Sequence, residues 1–333
     1  MTPILTIGIT SYKRIKELER CIKSIRTKYK DDIEIIVSED RSPLSHEIEE
    51  LVNLLANDSQ YQIRFTTNEV NLGYDMNLGS IIKKANGKYI FYMSDDDAFN
   101  DGFLDLLIPF LKFENQAGVI YAPFIYTDTG KKDRVRADSD FRITKGEDSA
   151  SKYIYDSILF SGLVFRKEYV KNYDSSRFKN HNYFQVYMFL QMLFNYGGYY
   201  FSTPSVLCIG DGENAYGLSE SSGGNVLLAN RKSVKSNLEF NKNLIKVIRM
   251  FDEDENCHVI DNFAKQYSLH SYSGLSIARN EGIQYFKEYW KILNGLDIKF
   301  YPITKAYYCM LYVLGKNRTD RMLRGMRSLV KKE

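Results

Sequence analysis

The chain has 333 residues, 44% apolar and 26% charged, with a net charge of +3. That composition excludes a disordered segment and indicates a globular protein with one large core or two smaller ones. Four scattered cysteines (Cys21, Cys208, Cys257, Cys309) argue against a disulfide framework or a paired-cysteine zinc site and fit a reducing cytosol. No basic leader precedes the short apolar run 4–9. The late apolar run 307–314 falls far below the roughly 18 residues that cross a bilayer, so neither export nor a membrane span is expected.

Residues 5–10 read as a strand, and 14–27 as a helix with Ile15, Leu18, Ile22 and Ile25 on one face. Residues 33–37 form a second strand ending in Ser38, Glu39, Asp40, Arg41 and Ser42, after which Ser45 is placed to cap a helix. A third strand covers 61–67. In the stretch 71–97, Asn71 and Gly73 tolerate positive φ, and Asp75 is placed to cap the following helix. Leu78, Ile81, Ile82 and Ala85 mark that helix, and a left-handed residue in the Asn86-Gly87 pair is expected to stop it. Residues 89–93 are aromatic and too short for a helix. They form a strand that delivers Ser94, Asp95, Asp96 and Asp97 at its C-terminal tip.

Strands alternating with helices predict a parallel sheet with right-handed crossovers, and such sheets bind ligands outside the carboxyl ends of their strands. Three tips, 10–14, 39–42 and 94–97, can face one cleft. The three adjacent carboxylates repel and need a compensating charge, which a hard cation carrying a phosphorylated ligand supplies; the alternative is a solvated acidic turn.

Further along, 103–113 is a helix expected to be bent or shortened by Pro109, 119–127 is strand-like, and 130–148 reads as a surface loop. A helix (151–160), a strand (163–165), a helix (183–196) and an extended run (199–209) follow, the last ending at Asp211. Residues 219–224 suggest a linker or lid. From 226 onward helical periods dominate (225–250, 259–278, 282–293, 303–314, 319–330), so a domain 1–225 and a helical subdomain 226–333 are expected. Residues 316–333 carry seven Lys or Arg against two acids, a net +5 that leaves −2 for the rest. Met322, Leu323, Met326, Leu329 and Val330 make this tail amphipathic, suited to an anionic membrane surface or to packing on the fold or a second subunit.

The segments ILTIGITSYKR, IEIIVSEDRSP and NLGYDMNLG with ANGKYIFYMSDDD, in that order over the first 97 residues, resemble glycosyltransferase family 2 of the GT-A fold. The resemblance implies an α/β, Rossmann-like, mostly parallel sheet flanked by helices, followed here by an α-helical C-terminal subdomain. It sets Thr10, Tyr12 and Arg14 beside the donor nucleotide, with the Tyr12 ring stacked on the base. Glu39 and Asp40 take the places of two strand-two acids, while Asn71, Gly73, Tyr74, Asp75 and Asn77 line the nucleotide and ribose, with Asp95 on the same donor side. Asp96 matches the metal-binding Asp, flanked by Asp95 and Asp97, and Asp211 is a further metal ligand or only a turn residue. Ser94 departs from the usual first Asp of a DxD motif, which makes the chain most similar to the Ser-Asp-Asp-Asp branch with abequosyltransferase-like enzymes.

Family members use a carboxylate base at the start of a helix in the second half of the domain. Here Lys179-Asn180-His181-Asn182 offers His181, whose imidazole suits the task near neutral pH, with Asp97 beside it in the catalytic set and Asp174 or Asp211 as other bases. The implied activity is Mn²⁺- or Mg²⁺-dependent, inverting transfer of a hexosyl or N-acetylhexosaminyl group from a UDP-sugar. The implied acceptor is a hydroxyl of a bacterial surface glycan (polysaccharide, O-antigen, capsule or teichoic acid), free or lipid-linked. The expected setting is the cytoplasm, peripheral on the inner face of the cell membrane, with a homo-oligomer as the other use of the helical part and no nucleic acid as partner. A nucleotidyltransferase would need a glycine-rich basic loop after strand one, and 10–14 has no glycine; a catalytically dead sugar-nucleotide module is the other alternative.

Overall fold

The computed structural model describes the backbone of residues 2–211 and 234–330, with side chains except at 234–237, 239, 240 and 324–330. The chain divides into two compact units, Met1–Asn225 and Val226–Glu333. In the first, β1 (Leu5–Ser11), β2 (Ile33–Glu39), β3 (Gln62–Thr67) and β4 (Tyr89–Ser94) pair in parallel in the order β3-β2-β1-β4. The helices α1 (Ile15–Lys23), α2 (Ser45–Asp58) and α3 (Tyr74–Lys84) connect them. Every residue of β2 is buried, as expected of a strand covered on both faces. The register aligns Thr10 with both Ser38 and Ser94, so the three strands end at one level and present their C-terminal residues side by side.

The large sheet continues past β4 through β10 (Val164–Arg166), β6 (Val119–Tyr121), β11 (Gly198–Tyr200) and β9 (Phe141–Ile143), with β10 antiparallel to both its neighbours. A four-stranded sheet holds β5 (Ala98–Phe99), β12 (Val206–Cys208), β7 (Phe124–Tyr126) and β8 (Lys132–Asp133). The core between sheet and helices is built from Ile7, Ile9, Leu18, Ile35, Val37 and Phe91, all fully buried, with α4 (Phe103–Phe113) closing it through Leu107 and Leu111. The later part of this unit adds α5 (Glu147–Tyr153), α6 (Lys167–Val170) and the mostly apolar α7 (Phe184–Asn195). The second unit is helical: α8 (Val234–Glu255), α9 (Val259–His270), α10 (Tyr272–Glu281), α11 (Ile283–Asn294) and α12 (Pro302–Val330), the last interrupted at Gly315, φ 70°.

Several local expectations change. The strand-like run 119–127 splits at Pro123 into β6 and β7, which join different sheets, and 199–209 splits likewise into β11 and β12. The stretch 130–148 is no plain loop, since it carries β8, β9 and the start of α5. Pro109 is accommodated within an unbroken α4. Ser45 does not cap α2; the cap position is Leu44, and Ser45 Oγ lies 3.3 Å from Thr67 Oγ1 instead. The run 259–278 is two helices meeting at Ser271. Gly212, Glu213 and the proposed linker 219–224 lie outside the described residues.

The end of α3 is the clearest correction. Neither Asn86 nor Gly87 is left-handed. Glycine is required there for space: a β-carbon on Gly87 would sit 2.5 Å from the Thr6 amide nitrogen and 2.8 Å from the Leu5 carbonyl carbon. Gly102, by contrast, has φ 77° and open space around it. Gly87→Ala is therefore expected to cost about 1–3 kcal/mol through overpacking against backbone that cannot yield, and more than Gly102→Ala, which carries only conformational strain. Thermal unfolding of the two variants side by side checks this; equal or inverted losses would contradict it.

Candidate active site at the strand tips

At the tip of β1 the chain turns through Lys13, a non-glycine residue at φ 62°, and sends Arg14 back across to the tip of β4. Arg14 Nη1 lies 2.8 Å from Asp95 Oδ1 and 3.0 Å from Asp96 Oδ2. The Tyr12 amide donates to the other Asp95 oxygen at 3.3 Å. The charge that the triple carboxylate needs is thus supplied within the chain by a guanidinium. Burial pushes the Asp95 carboxyl up to about 7, with the neighbouring Asp96 charge adding to it and Arg14 opposing.

Asp97 points the other way. It accepts from Ser161 Oγ at 2.6 Å and from the Ile209 amide at 3.2 Å. Burial, reinforced by Asp96, pushes it up to about 6. Asp97 is 2% exposed, so its place here is to fasten the β4 tip to the β10 and β12 side of the domain. Asp96 is the member of the triad that opens to solvent, its side chain 16% exposed, and the Ser94 hydroxyl donates to it. Asp211, expected as a metal ligand, is held by both Arg20 guanidinium nitrogens at 2.7 Å each, and the Arg20 hydrogen bond keeps its carboxyl below the ordinary range. Arg20 also donates to the Asp96 carbonyl at 3.0 Å, which joins Asp211 to the triad through a cation. Among the described residues no three His, Cys, Asp or Glu side chains are arranged to hold a metal ion unaided.

The acids assigned to the nucleotide side are mostly spent on the fold. Glu39 accepts from the Ser42 amide and from Thr67. Asp40 accepts the Leu72 and Gly73 amides, each at 2.8 Å, and Asn68 Nδ2 at 2.9 Å, which shapes the turn that starts α3. Asn77 Nδ2 donates to the Ser38 carbonyl. Asp75 does not cap its own helix, whose cap position is Gly73; it is 1% exposed and accepts the amides of Asn182 and Phe184 at the start of α7. Burial pushes its carboxyl up to about 7 against those amides. Thr10, Tyr12, Arg14, Asn71, Gly73 and Tyr74 remain at least partly open. His181 is half-buried, its Nδ1 3.1 Å from the Lys179 carbonyl.

Ser161 and Arg20 escape sequence reasoning. Ser161 is 0% exposed, donates to Asp97 and accepts the Ser94 amide at 3.1 Å, yet lies 64 residues from Asp97 with no local pattern. Arg20 reads as one more cation in α1, and its spacing of six from Arg14, about 240° around a helix, gives no hint that both reach one site.

The glycosyl transferase family 2 profile matches residues 6–174, just over half of the chain and every strand tip described above. The chain belongs to glycosyl transferase family 2. It is 25% identical over 232 residues to the abequosyltransferase RfbV of Salmonella typhimurium, covering 63% of this chain and 68% of that one. It is 30% identical over 106 residues to the GalNAc(5)-diNAcBac-PP-undecaprenol beta-1,3-glucosyltransferase of Campylobacter jejuni, covering 32% of this chain and 34% of that one. Crystal structures of S. aureus TarS 1–349, free and with UDP, share the fold at a TM-score of 0.53 and 13% identity, over 91% of this chain and 90% of theirs. The longer TarS chain is covered to 48%. His181 and Asp211 lie beyond the family match.

Removing Arg14 from this glycosyltransferase leaves Asp95 without its cation whenever that buried carboxyl is ionised, so Arg14→Ala is expected to destabilise the chain above about pH 7, by up to about 3–5 kcal/mol once the carboxylate is fully charged. The sign of its pH dependence follows from Asp95. Its folded value of about 7 lies above the ordinary 3.8, so the folded state holds the proton more tightly and stability falls as pH rises between them. Without Arg14 the carboxyl rises further, so in chelator the deficit is expected to be large at about pH 8.5 and small at about pH 5.5. Urea unfolding at the two values tests this, and a deficit independent of pH would contradict it.

Proposed function

We propose that this family 2 glycosyltransferase moves a hexosyl or N-acetylhexosaminyl group from a UDP-sugar to a hydroxyl of a bacterial surface glycan, with inversion at the anomeric carbon, through residues 1–225. The observation that carries the reading is the convergence of Tyr12, Arg14 and the solvent-facing Asp96 where β1 and β4 end. The UDP-bound TarS of the same fold supports the donor class, and the Campylobacter jejuni relative, named for an undecaprenol-linked glycan, supports the acceptor class.

The donor set fits one hard divalent cation. Asp96 is the most exposed carboxylate of the triad, and a Mn²⁺ or Mg²⁺ held there in place of its present partners would take most of its ligands from phosphate and water, as these hard cations prefer. Such an ion neutralises charge on the diphosphate. Arg14 adds positive charge on the same side, while the Tyr12 ring offers a face for the uracil. In this reading Asp95 and Asp97 brace the tip that carries Asp96. His181 is the base: a carbonyl only accepts, so Nδ1 donates its proton to Lys179 O and Nε2 keeps the lone pair. Nε2 takes the acceptor hydroxyl proton as that oxygen bonds to the anomeric carbon, and the bond from this carbon to the diphosphate oxygen breaks on the opposite face.

No helix among the described residues is long and apolar enough to cross a membrane. The reading places 226–333 at an anionic membrane surface on the cytoplasmic side, where a lipid-linked acceptor would stand. Val313 is 77% exposed, with Tyr312 and Leu314 also exposed just before the Gly315 break. The side chains of Arg324, Met326, Arg327, Leu329 and Val330, and residues 331–333, lie outside the described residues.

Asp96→Ala is expected to abolish metal-dependent donor binding and transfer while the melting temperature stays near wild type; undiminished transfer would sink the metal assignment. Replacing His181 with Ala should lower kcat by about 10² to 10⁴ with donor affinity little changed. A loss below tenfold would point to Asp174 or Asp211 instead. Full-length protein should co-sediment with anionic but not neutral vesicles, less so in salt or after deletion of 316–333, since each basic residue near the surface adds about 1 kcal/mol. Indifference to anionic vesicles at low salt would assign the tail to the fold or to a homo-oligomer.

A further inference from the structure

His181 lies between two residues in the left-handed region, Asn180 at φ 66° and Asn182 at φ 64°. Two such residues within three positions are costly and persist only where surrounding groups over-determine them. The constraint comes from another helix. Asp75, on the first turn of α3, accepts the Asn182 amide at 2.7 Å and the Phe184 amide at 2.9 Å, and the His181 and Tyr183 amides face the same carboxylate. An ordinary cap for α7 would need only amides inside that helix. This one also takes Asn182, which precedes the cap position Tyr183.

A second close approach lies about one turn further along α3. A β-carbon on Gly79 would lie 2.1 Å from Ser175 Oγ, so the Ser175 side chain of the turn Ser175–Phe178 that leads to His181 packs directly on the α3 backbone. The N-terminus of α3, which carries Asp75, is capped at Gly73, in the turn set by Asp40, on the donor side.

We propose that Asp75 is a positioning residue for the transfer step: it holds the Asn180–Asn182 turn so that His181 presents Nε2 to the acceptor, and it ties that turn to the donor-side loop 71–77. The proposal rests on the assignment of His181 as base. Asp75→Asn keeps the shape of the side chain but turns an N–H pair toward the amides it formerly accepted. The turn relaxes, and a base displaced by about 1 Å costs about 10²-fold in rate.

The test uses the full chain with UDP-sugar, Mn²⁺ and acceptor, together with NMR of the histidine Cε1 resonances. The chain has four histidines, and the His181 signal is the one lost in His181→Ala. Asp75→Asn should lower kcat at least tenfold, change donor affinity less than threefold, and move the His181 resonance while those of His46, His258 and His270 stay put, as a mispositioned base requires. A folded Asp75→Asn with kcat within twofold of wild type, beside an impaired His181→Ala, overturns the proposal. A silent His181→Ala overturns the base assignment beneath it instead. Should Asp75→Asn fail to fold, Asp75→Ser, which keeps one acceptor oxygen, is measured in its place. Amide exchange in the wild-type chain needs no variant: protection of Asn182 comparable to the interior of α7 is expected, and exchange at open-loop rates overturns the clamp.

Discussion

The site depends on one guanidinium. Arg14 leaves the tip of β1 and lies between Asp95 and Asp96 at the tip of β4, two carboxylates that repel each other and, for Asp95, sit almost wholly out of water. Without that charge an ionised Asp95 at the tip of β4 would bear its desolvation cost with no cation to offset it. With it, the charge of Asp95 is compensated, and Asp96 is held at the edge, its side chain 16% exposed, with Ser94 on one oxygen and Arg14 on the other. The division of labour among three adjacent acids follows from what each meets: a cation, open water, and a serine hydroxyl with a backbone amide.

The same economy recurs through the domain. Buried carboxylates here are satisfied largely by backbone amides, from distant segments for Asp40 and Asp75 and from residues shortly after them for Glu114 and Asp252. Asp40 takes those of Leu72 and Gly73, Asp75 those of Asn182 and Phe184, and Glu114 those of Gln116 and Ala117 together with Arg142. In the helical unit Asp252 does so for Val259 and Ile260. Each pins a turn or helix start that local sequence would leave loose, and two of them flank the proposed site. Loops that carry chemistry are thereby fixed by charge-assisted bonds to the scaffold rather than by their own propensity.

What could be read from the chain and what could not divides along the range of the forces involved. The alternation of β1 to β4 with α1 to α3 is written in local periodicity, and Ser94 to Asp97 fall at a strand tip because an aromatic strand of six residues cannot run further. The family likeness of the first 97 residues follows from the same stretches. The strand at 163–165 was legible and is β10, but its antiparallel place between β4 and β6 was not, and the three-residue β9 was not legible at all, because such pairing is set by partners dozens of residues away. Asp75 was legible as a cap, but its target, α7, lies more than a hundred residues on. Arg14 was legible as a ligand-side cation, and its ion pairs were not, since nothing near it in sequence is acidic enough to announce them. The break at Pro123 shows a continuing apolar pattern overruled by a residue that cannot donate to a strand ladder.

Calorimetric titration of UDP into the wild-type chain, once with Mn²⁺ and once with chelator, tests most directly whether the strand tips form a donor site completed at Asp96. Binding at least about tenfold tighter with Mn²⁺ is expected, because the ion links the Asp96 carboxylate to the diphosphate. Equal affinity in chelator, or no binding of UDP in either buffer, would contradict it.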